Sequence, residues 1–484
     1  MFSKLPFDIK ENKWLVFSGL LFCALSCYFL WNDSWYFSFL PIILIAIYGA
    51  IFHTEVTFLS LFFFAPISIN IEEYTQSFGL FIPTEPMLFG LMILLLIQQI
   101  KFPLFPKILF KSHLIWILLF YLAWLFITSI TSSNPLASFK FLLAKLWFIV
   151  PVLFYGVSVF QKRKNILTFI YLFITGMTIA MLYTLIIHAS YQFGEKEGHW
   201  VMNPLFKDHT IYGALVAFVL PITFGLYFSK KHNPLVQVVL ISVFTINVLA
   251  LYFSYTRAAW LSIIVALGVL TLIKFKIKFT WIATTTFIIA MIIFFSWTSI
   301  EQSLAKNDAE HTTEDFGERL ESVSNVTSDA SNLERLNRWS CAIDMFLERP
   351  FFGFGPGTYA FEYARFQEPQ NLTIISTNFG DGGNAHSEYL GPMAETGFIG
   401  LLSVLALITS IFYTGIKLYL HFDPKDKEMR TIILALILAL TTYFFHGILN
   451  NYFDTDKAAM PIWAICAIFI ALGGEKIIST NTLK

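Results

Sequence analysis

One polar segment, residues 299–395, carries the motifs ERLNRW (Glu334–Trp339), PFFGFGPGTY (Pro350–Tyr359) and NAHSEYLGPMAETGFIG, which ends at Gly400, and it contains no apolar run of membrane length. Apolar runs near the length of about 20 residues that crosses a bilayer make up nearly everything else. The chain is 56% hydrophobic and 13% charged, whereas soluble domains carry about 25% charged residues. The composition therefore excludes an ordinary soluble protein. It predicts an all-α polytopic membrane protein with one large, mainly helical loop.

The apolar runs predict about 12–14 transmembrane helices. The predicted organisation is a set of N-terminal membrane helices (1–298), a loop with the functional motifs (299–395) and C-terminal membrane helices (396–484). The predicted spans are 14–30, 35–51, 56–70, 87–100, 113–130, 138–160, 166–190, 209–229, 234–253, 258–273, 280–298, 396–418, 431–449 and 458–473.

The distribution of cations predicts the orientation. Lysines cluster in alternate loops, for example Lys107, Lys111, Lys230 and Lys231, and cytoplasmic loops carry such an excess. The N- and C-termini are therefore expected in the cytoplasm and 299–395 on the outer side.

Most of the arginines fall on that outer side, at 257, 319, 335, 338, 349 and 365. A guanidinium grips phosphate oxygens in pairs, so this bias suggests an anionic ligand. Ordinary salt bridges are an equally open interpretation for Arg319, Arg349 and Arg365.

Two arginine positions stand out. Arg257 lies within one turn of a membrane boundary, where a charge is costly and is a functional candidate. Arg335 and Arg338 are three residues apart on a predicted amphipathic helix, 331–349, and are neighbours on its surface. Two guanidiniums so placed can hold a diphosphate, although a solvated charged face explains them equally well. The apolar residues Leu336, Trp339, Ile343 and Phe346 recur at helical spacing and make an apolar stripe on this helix.

The histidine of most interest is His386, which is flanked by glycines and precedes a membrane helix. A histidine suits general-base work on a hydroxyl, and a hydrogen-bonded structural role is the open alternative. Asp208 and His209, like His446, Asn450 and Asp454, are expected at the outer ends of other helices. Gly353, Gly355 and Gly357 favour a tight turn over a phosphate-binding loop. No pair of histidines has metal-site spacing, so no metal is expected.

Taken in order, SYTRAAW around Arg257, the ERLNRW and PFFGFGPGTY motifs, and NAHSEYLGPMAETGFIG resemble the O-antigen ligase and O-antigen polymerase family. The likeness is strongest over 330–400 and weaker over 200–260 and 440–470. Ser387 departs from the family pattern, because many members have Asn there.

The resemblance implies a metal-independent glycosyltransferase of the bacterial inner membrane with no cofactor. It would move a glycan from undecaprenyl diphosphate to a sugar hydroxyl at the periplasmic face, as an O-antigen ligase acting on lipid A–core. Carried over by position, Arg257 matches the family arginine at a membrane boundary, Arg335 the first residue of the RxxxW element and His386 the loop histidine. His386 and Arg257 are then expected to be catalytic, and Arg257 with Arg335 or Arg338 to bind the diphosphate. Asp208, His209, Glu388 and Glu395 are the further candidates to face the acceptor or line the vestibule. The expected partners are the lipid-linked donor, lipid A–core or a growing glycan, and membrane lipid, with no nucleic acid.

Two other functions stay open from the sequence. A polysaccharide polymerase of the same family shares the motifs. A polysaccharide or lipid flippase also has many helices and few charges, but transporters usually place ionisable residues at midplane on broken helices and show internal repeats. Here the polar residues collect on one side of the membrane, which favours an enzyme.

Overall fold

A computed structural model of the chain describes residues 13–32, 36–72, 79–277, 288, 291–292, 296, 330–367 and 383–481. The fold in these residues is helical, with one two-stranded antiparallel ribbon in which Ile69 faces Ile82 and Asn70 faces Phe81. The α-helices of the described residues are Lys13–Trp31, Leu40–Phe52, Thr54–Phe64, Thr84–Lys101, His113–Ile130, Pro135–Phe148, Gly156–Val159, Arg163–Ser190, Glu195–Gly198, His209–Ser229, Pro234–Tyr252, Arg257–Lys274, Ala330–Glu348, Tyr359–Glu362, Leu390–His421, Lys427–His446 and Asp456–Asn481. A π-helical stretch, Ile149–Tyr155, continues Pro135–Phe148, and short 3-10 helices are Tyr36–Phe39, Ala65–Ile67, Leu109–Lys111 and Tyr363–Phe366.

Ten helices in the described part of the chain are long and apolar enough to cross a membrane, which confirms the all-α polytopic class. Each coincides with a predicted span, from 84–101 to 456–474. The first three predicted spans correspond to shorter apolar helices, Phe17–Trp31, Phe37–Phe52 and Thr54–Ile67. The predicted span 280–298 lies outside the described residues except at four positions. Residues 299–329 and 368–382 also lie outside them, so the three-part organisation of the chain stays a prediction.

Several membrane helices begin at a polar cap, which the sequence places just before the apolar run. Asn134 and Asn233 each accept a hydrogen bond from a backbone N–H in the first turn, and each precedes a proline. Asp208 and Asp426 cap the helices that follow them in the same way. Such caps satisfy backbone donors that have no partner within the helix.

The chain divides into two compact units, residues 1–58 and 59–484. In the first, the helices Lys13–Trp31 and Leu40–Phe52 expose much of their apolar surface. In the second, three helices form the most buried part, with 72% of His209–Ser229, 72% of Lys427–His446 and 94% of Asp456–Gly474 inside the protein. These three helices therefore form the frame of the second unit.

The amphipathic helix is present as Ala330–Glu348, but its apolar stripe is not its buried face. Leu336, Trp339 and Phe346 are only partly buried, and Ile343 is exposed. The side chains that are buried lie on another face of the helix: Glu334, Asn337, Arg338, Cys341, Ala342 and Met345. Spacing could not reveal this face, because its polar members are buried through bonds to each other and to distant loops.

Gly353, Gly355 and Gly357 form a tight turn with φ of 65°, 110° and 71°, as the turn interpretation predicts. The turn docks on the start of the helix Leu390–His421, where Gly355 N donates to Glu395 O at 2.7 Å. That helix is interrupted at Gly397, where φ is 70° and ψ −166°. A Cβ at Gly397 would lie 2.2 Å from Phe351 O, so only glycine fits the contact between loop and membrane helix.

Candidate functional site

A cavity of about 560 Å³ lies in the second unit where the loop segments meet the membrane helices. It is bounded by the segment 383–389, the helix starts at 209 and 390, and the segment 451–457. Its charged and histidine lining residues are Lys145, Lys207, Asp208, Arg338, His386, Glu388, Glu395, Asp454 and Lys457. The structure thus brings together four predicted site residues beside His386: Asp208, Arg338, Glu388 and Glu395.

The backbone around His386 is held in a rare conformation. Its φ is 46°, a left-handed value that costs a non-glycine residue energy and often marks a functional site. His386 N donates to Asn384 Oδ1 at 3.0 Å, and Trp339 Nε1 donates to His386 O at 3.5 Å. The helix Ala330–Glu348 therefore helps to aim the imidazole.

The pKa of the His386 imidazole is lowered to about 4, first by burial and then by the positive charges of Arg338 and Arg335. A hydrogen bond with Asn450 and the charge of Asp208 act in the opposite direction. The imidazole is therefore neutral near pH 7 and able to accept a proton. Asn450 Nδ2 also lies 3.0 Å from His446 Nε2, so the two histidines and the asparagine form one polar cluster.

Arg338 is the predicted diphosphate ligand whose side chain lines the cavity. Its Nε donates to Glu334 at 2.7 Å, and its Nη1 donates to Asn384 O at 3.2 Å. The guanidinium also lies over the Tyr363 ring, 4.9 Å from the centroid. Arg338 therefore ties the helix to the His386 segment, and Glu334 offsets part of its charge.

Arg335 and Arg257 occupy different positions. Arg335 acts electrostatically on both His386 and His446, which places it near the cluster. Arg257 begins its helix beside Thr256, whose Oγ1 donates to His209 O at 2.9 Å. Neither arginine is among the described residues that line the cavity. The predicted roles of Arg257, Arg335 and Arg338 stay predictions.

His209 is not among the described residues that line the cavity. Its ring stacks on that of His199, with centroids 4.2 Å apart.

Glu388 is an anchor for the segment after the helix Lys427–His446. Its Oε1 accepts from Tyr452 N at 2.7 Å, Phe453 N at 2.9 Å and the Tyr443 hydroxyl at 2.7 Å. Burial, followed by the negative charge of Asp454, raises the Glu388 pKa to about 7, while Lys145 opposes the rise. Glu388 therefore holds two segments of the site together, whichever protonation state it adopts.

Asp208 and Glu395 are likewise bound to the backbone around the cavity. Asp208 accepts from the backbone N–H groups of Thr210 at 2.8 Å and Ile211 at 3.0 Å, and Thr210 is hydrogen-bonded to Tyr452. Glu395 accepts from Tyr359 N at 3.0 Å and so fixes the end of the glycine turn. Ser387 Oγ accepts from Tyr389 N and Leu390 N, both at 3.3 Å, so serine supplies a helix cap that asparagine can also supply.

Lys145 is a residue of the site that the sequence analysis missed. It lies within the membrane span Pro135–Val159, is 7% exposed and forms an ion pair with Asp454. Its Nζ is 4.9 Å from the centroid of the Phe453 ring and 5.1 Å from that of Phe141. The available signal was two lysines, Lys140 and Lys145, inside an apolar run, where a charge is a functional candidate by default.

A second missed group joins Lys457 to Asp456, both buried. Lys457 Nζ donates to Ser68 O at 2.8 Å and Ala65 O at 3.0 Å, whereas Asp456 accepts from the hydroxyls of Ser68 and Thr84. The pair connects the cavity wall to the ribbon at residues 69–82. It was hidden in the sequence because its partners are distant in the chain.

Two of the remaining outer arginines behave as surface residues. Arg365 pairs with Glu348 at 3.1 Å and Glu362 at 3.3 Å, and Arg349 lies over the Phe354 ring, 4.4 Å from its centroid. Arg319 lies outside the described residues. In the described part of the chain, no group of three His, Cys, Asp or Glu side chains is placed to hold a metal ion, and metal independence stays a prediction.

The far wall of the cavity is apolar. Val404, Leu407, Ile408 and Ile411 line it and recur at three- and four-residue spacing, so they share one face of the helix Leu390–His421. Phe444 lines the same region. The cavity therefore joins a charged end beside His386 to an apolar end inside the membrane helices.

Comparison with known families covers part of this site. Residues 238–405 match the family described as O-Antigen ligase, a stretch that runs from before Arg257 to beyond His386. No curated protein matches the chain. The chain therefore carries an O-antigen ligase family region, which confirms the resemblance predicted from its motifs.

Proposed function

We propose that the chain is a glycosyltransferase that moves a glycan from undecaprenyl diphosphate to a sugar hydroxyl of lipid A–core. The observation that carries this proposal is the two-part cavity, in which cations and a neutral histidine adjoin an apolar wall. A lipid-linked diphosphate has the matching two parts, a polyanionic head and a long hydrocarbon chain. The family match over 238–405 supports a function of the ligase or polymerase type.

The cations beside His386 suit a departing diphosphate. Negative charge builds on the leaving group as its bond to the sugar breaks, and fixed positive groups in a buried site stabilise that charge. Arg338 and Lys145 line the cavity, and Arg335 is close enough to act on the His386 imidazole. Arg257 approaches from the side of His209 and is proposed to complete the diphosphate site when the donor is bound.

His386 is proposed to act as the general base. The acceptor oxygen attacks the anomeric carbon, the bond from that carbon to the diphosphate oxygen breaks, and its electron pair leaves with undecaprenyl diphosphate. The hydroxyl proton passes to the imidazole. Binding of the donor adds negative charge near Arg335 and Arg338, which raises the basicity of His386. The histidine thus becomes a better base when the donor is present.

The apolar wall is proposed to hold the first isoprenoid units of the donor. Val404, Leu407 and Ile411 present a continuous hydrocarbon surface that leads away from the charged end. The donor chain comes from the bilayer, which is itself apolar, so this surface contributes shape and van der Waals packing rather than hydrophobic free energy.

The proposed location is the bacterial inner membrane, with both termini in the cytoplasm and the cavity on the periplasmic side. The lysine-rich loops support this orientation. The donor carries its own leaving group, so the reaction needs no nucleotide, and this suits a site outside the cytoplasm.

The proposal is tested by incubating the purified chain with a lipid-linked glycan and either lipid A–core or a second lipid-linked glycan. A ligase transfers glycan to lipid A–core, and a polymerase of the same family elongates the second lipid-linked glycan. Movement of intact donor across vesicles without any transfer would support a flippase and contradict the proposal. In cells, gene deletion distinguishes the two enzymes, since a core without glycan indicates a ligase and a core with one repeat unit a polymerase.

A further inference from the structure

A second cavity, of about 400 Å³, lies at the other end of the helix Leu390–His421. It is bounded by the start of His113–Ile130, the end of Leu390–His421 and the segment near Gly473. Its lining residues are Ile108, Lys111, Ser112, His113, Tyr413, Thr414, Lys417, Leu418, His421, Phe469, Ile470, Gly473 and Gly474.

This second cavity has a basic part and an apolar part. Lys111, His113, Lys417 and His421 supply the basic part, and no acidic residue is among the lining residues of the described chain. The apolar part includes Leu418, Phe469 and Ile470, all buried. Such a combination matches a ligand with an anionic head and hydrocarbon chains.

The two lysines at this cavity differ in pairing from two other cations of the described chain. Arg163 pairs with Asp426 at 2.5 Å, and Lys230 pairs with Glu428 at 2.7 Å. Within the part of the chain that the structure describes, neither Lys111 nor Lys417 forms an ion pair. Lys417 instead lies over the Tyr413 ring, 5.4 Å from its centroid, and Tyr413 is 58% exposed.

The second cavity lies at the opposite membrane boundary from His386. The two are joined by the helix Leu390–His421, and even the part after Gly397 is about 36 Å long at about 1.5 Å per residue. A hydrocarbon core is about 30 Å thick. Lys417 and His421 are therefore level with the headgroups of the leaflet that faces away from the candidate site.

We propose that this cavity binds the phosphate headgroup of an anionic membrane lipid. Lys111 and Lys417 contact the phosphate, His113 donates a hydrogen bond, and the acyl chains follow the apolar floor and the exposed Tyr413 ring. Basic pockets between membrane helices bind such headgroups. A free phosphate ion would not need the apolar floor, so the lipid is the better match.

The test measures the melting temperature of the full chain in an uncharged detergent during titration with phosphatidylglycerol. Saturable stabilisation is expected, with phosphatidylcholine and glycerol phosphate much weaker. In Lys111→Gln/Lys417→Gln the apparent affinity is expected to fall by about fivefold for each lysine. The matched control is Lys425→Gln/Lys427→Gln, which removes the same charge from two exposed residues outside the cavity.

A second variant tests the shape of the cavity while keeping its charges. A Cβ at Gly473 meets nothing within 4 Å, so Gly473→Leu is expected to fold, fill the cavity and abolish the saturable effect. Equal losses in the cavity and control lysine variants, full competition by glycerol phosphate or unchanged binding by Gly473→Leu would each overturn the proposal.

Discussion

The charged side chains at the two ends of the helix Leu390–His421 differ in burial and in pairing. At the His386 end, Arg338 pairs with Glu334 and Lys145 with Asp454, and three of these four side chains are almost fully buried. At the other end, Lys111 and Lys417 are exposed and lie in a lining without acids among the described residues. The ion pairs at the His386 end hold the proposed catalytic site in shape, whereas the lysines at the other end keep their charge available to a ligand.

The comparison predicts its largest effect at Arg338. Arg338→Gln leaves Glu334 as a buried charge without its partner, and breaking such a pair costs about 3–5 kcal/mol. The free energy of unfolding in detergent measures the loss, and Glu334→Gln/Arg338→Gln should recover part of it. Arg365→Gln is the control, because its pair is about half exposed and worth at most about 1 kcal/mol. Equal losses from Arg338→Gln and Arg365→Gln would remove the distinction.

Removal of either partner of the Lys145–Asp454 pair should lower the free energy of unfolding by different amounts. Asp454→Asn leaves the Lys145 charge buried, whereas Lys145→Met leaves an Asp454 side chain that is 45% exposed and can regain water. We expect losses of about 2–3 kcal/mol for Asp454→Asn and about 1 kcal/mol for Lys145→Met, below the range for fully buried pairs. The double variant should resemble Lys145→Met. An equal or reversed order in unfolding experiments would show that burial does not govern this pair.

The pH dependence of glycan transfer tests whether the buried end of the helix lowers the pKa of His386. General-base action needs neutral His386, and protonation as the pH falls removes it. Because the pKa of His386 is lowered to about 4, kcat/KM should stay level through pH 6.5, where an ordinary histidine is half protonated, and fall only near pH 4–5. Glu388 has a pKa of about 7, so the profile is best measured in Glu388→Gln as well. A midpoint near 6.5 in both proteins would contradict the lowered pKa.

The smallest effect is expected at the opposite end of the helix. Lys111→Gln removes an exposed charge, and such changes usually alter stability by less than about 0.5 kcal/mol. In detergent without lipid, its melting temperature should match that of the unaltered chain. A large loss there would mean that Lys111 supports the fold and would weaken the comparison.

Hydrophobic runs were enough to predict the membrane class, because a bilayer requires a length and composition that single segments display. Each of the ten long helices in the described chain coincides with a predicted span. The first three predicted spans correspond to shorter apolar helices and stay predictions, since apolar composition alone does not show where a helix ends. The interruption at Gly397 depends on the distant Phe351 carbonyl, which no local pattern contains.

The motifs located part of the candidate site. Arg338 and His386 come together because the glycine turn docks on the start of the helix Leu390–His421, and the predicted acids Glu388 and Glu395 prove to hold backbone segments in place. Lys145 was missed because its partner Asp454 is 309 positions further along the chain. The buried face of the helix Ala330–Glu348 was missed because its polar residues are satisfied only in three dimensions.

Glycan transfer by purified His386→Ala, compared with the unaltered chain and His53→Ala, tests the central claim most directly. His53 lies in the first unit, outside the cavity lining. With a lipid-linked donor and an excess of acceptor, we predict a fall of at least about 100-fold in kcat for His386→Ala, the usual scale of general-base catalysis, together with unchanged donor binding and full activity of His53→Ala. Transfer by a folded His386→Ala at the rate of the unaltered chain would contradict the proposal that this cavity is the catalytic site.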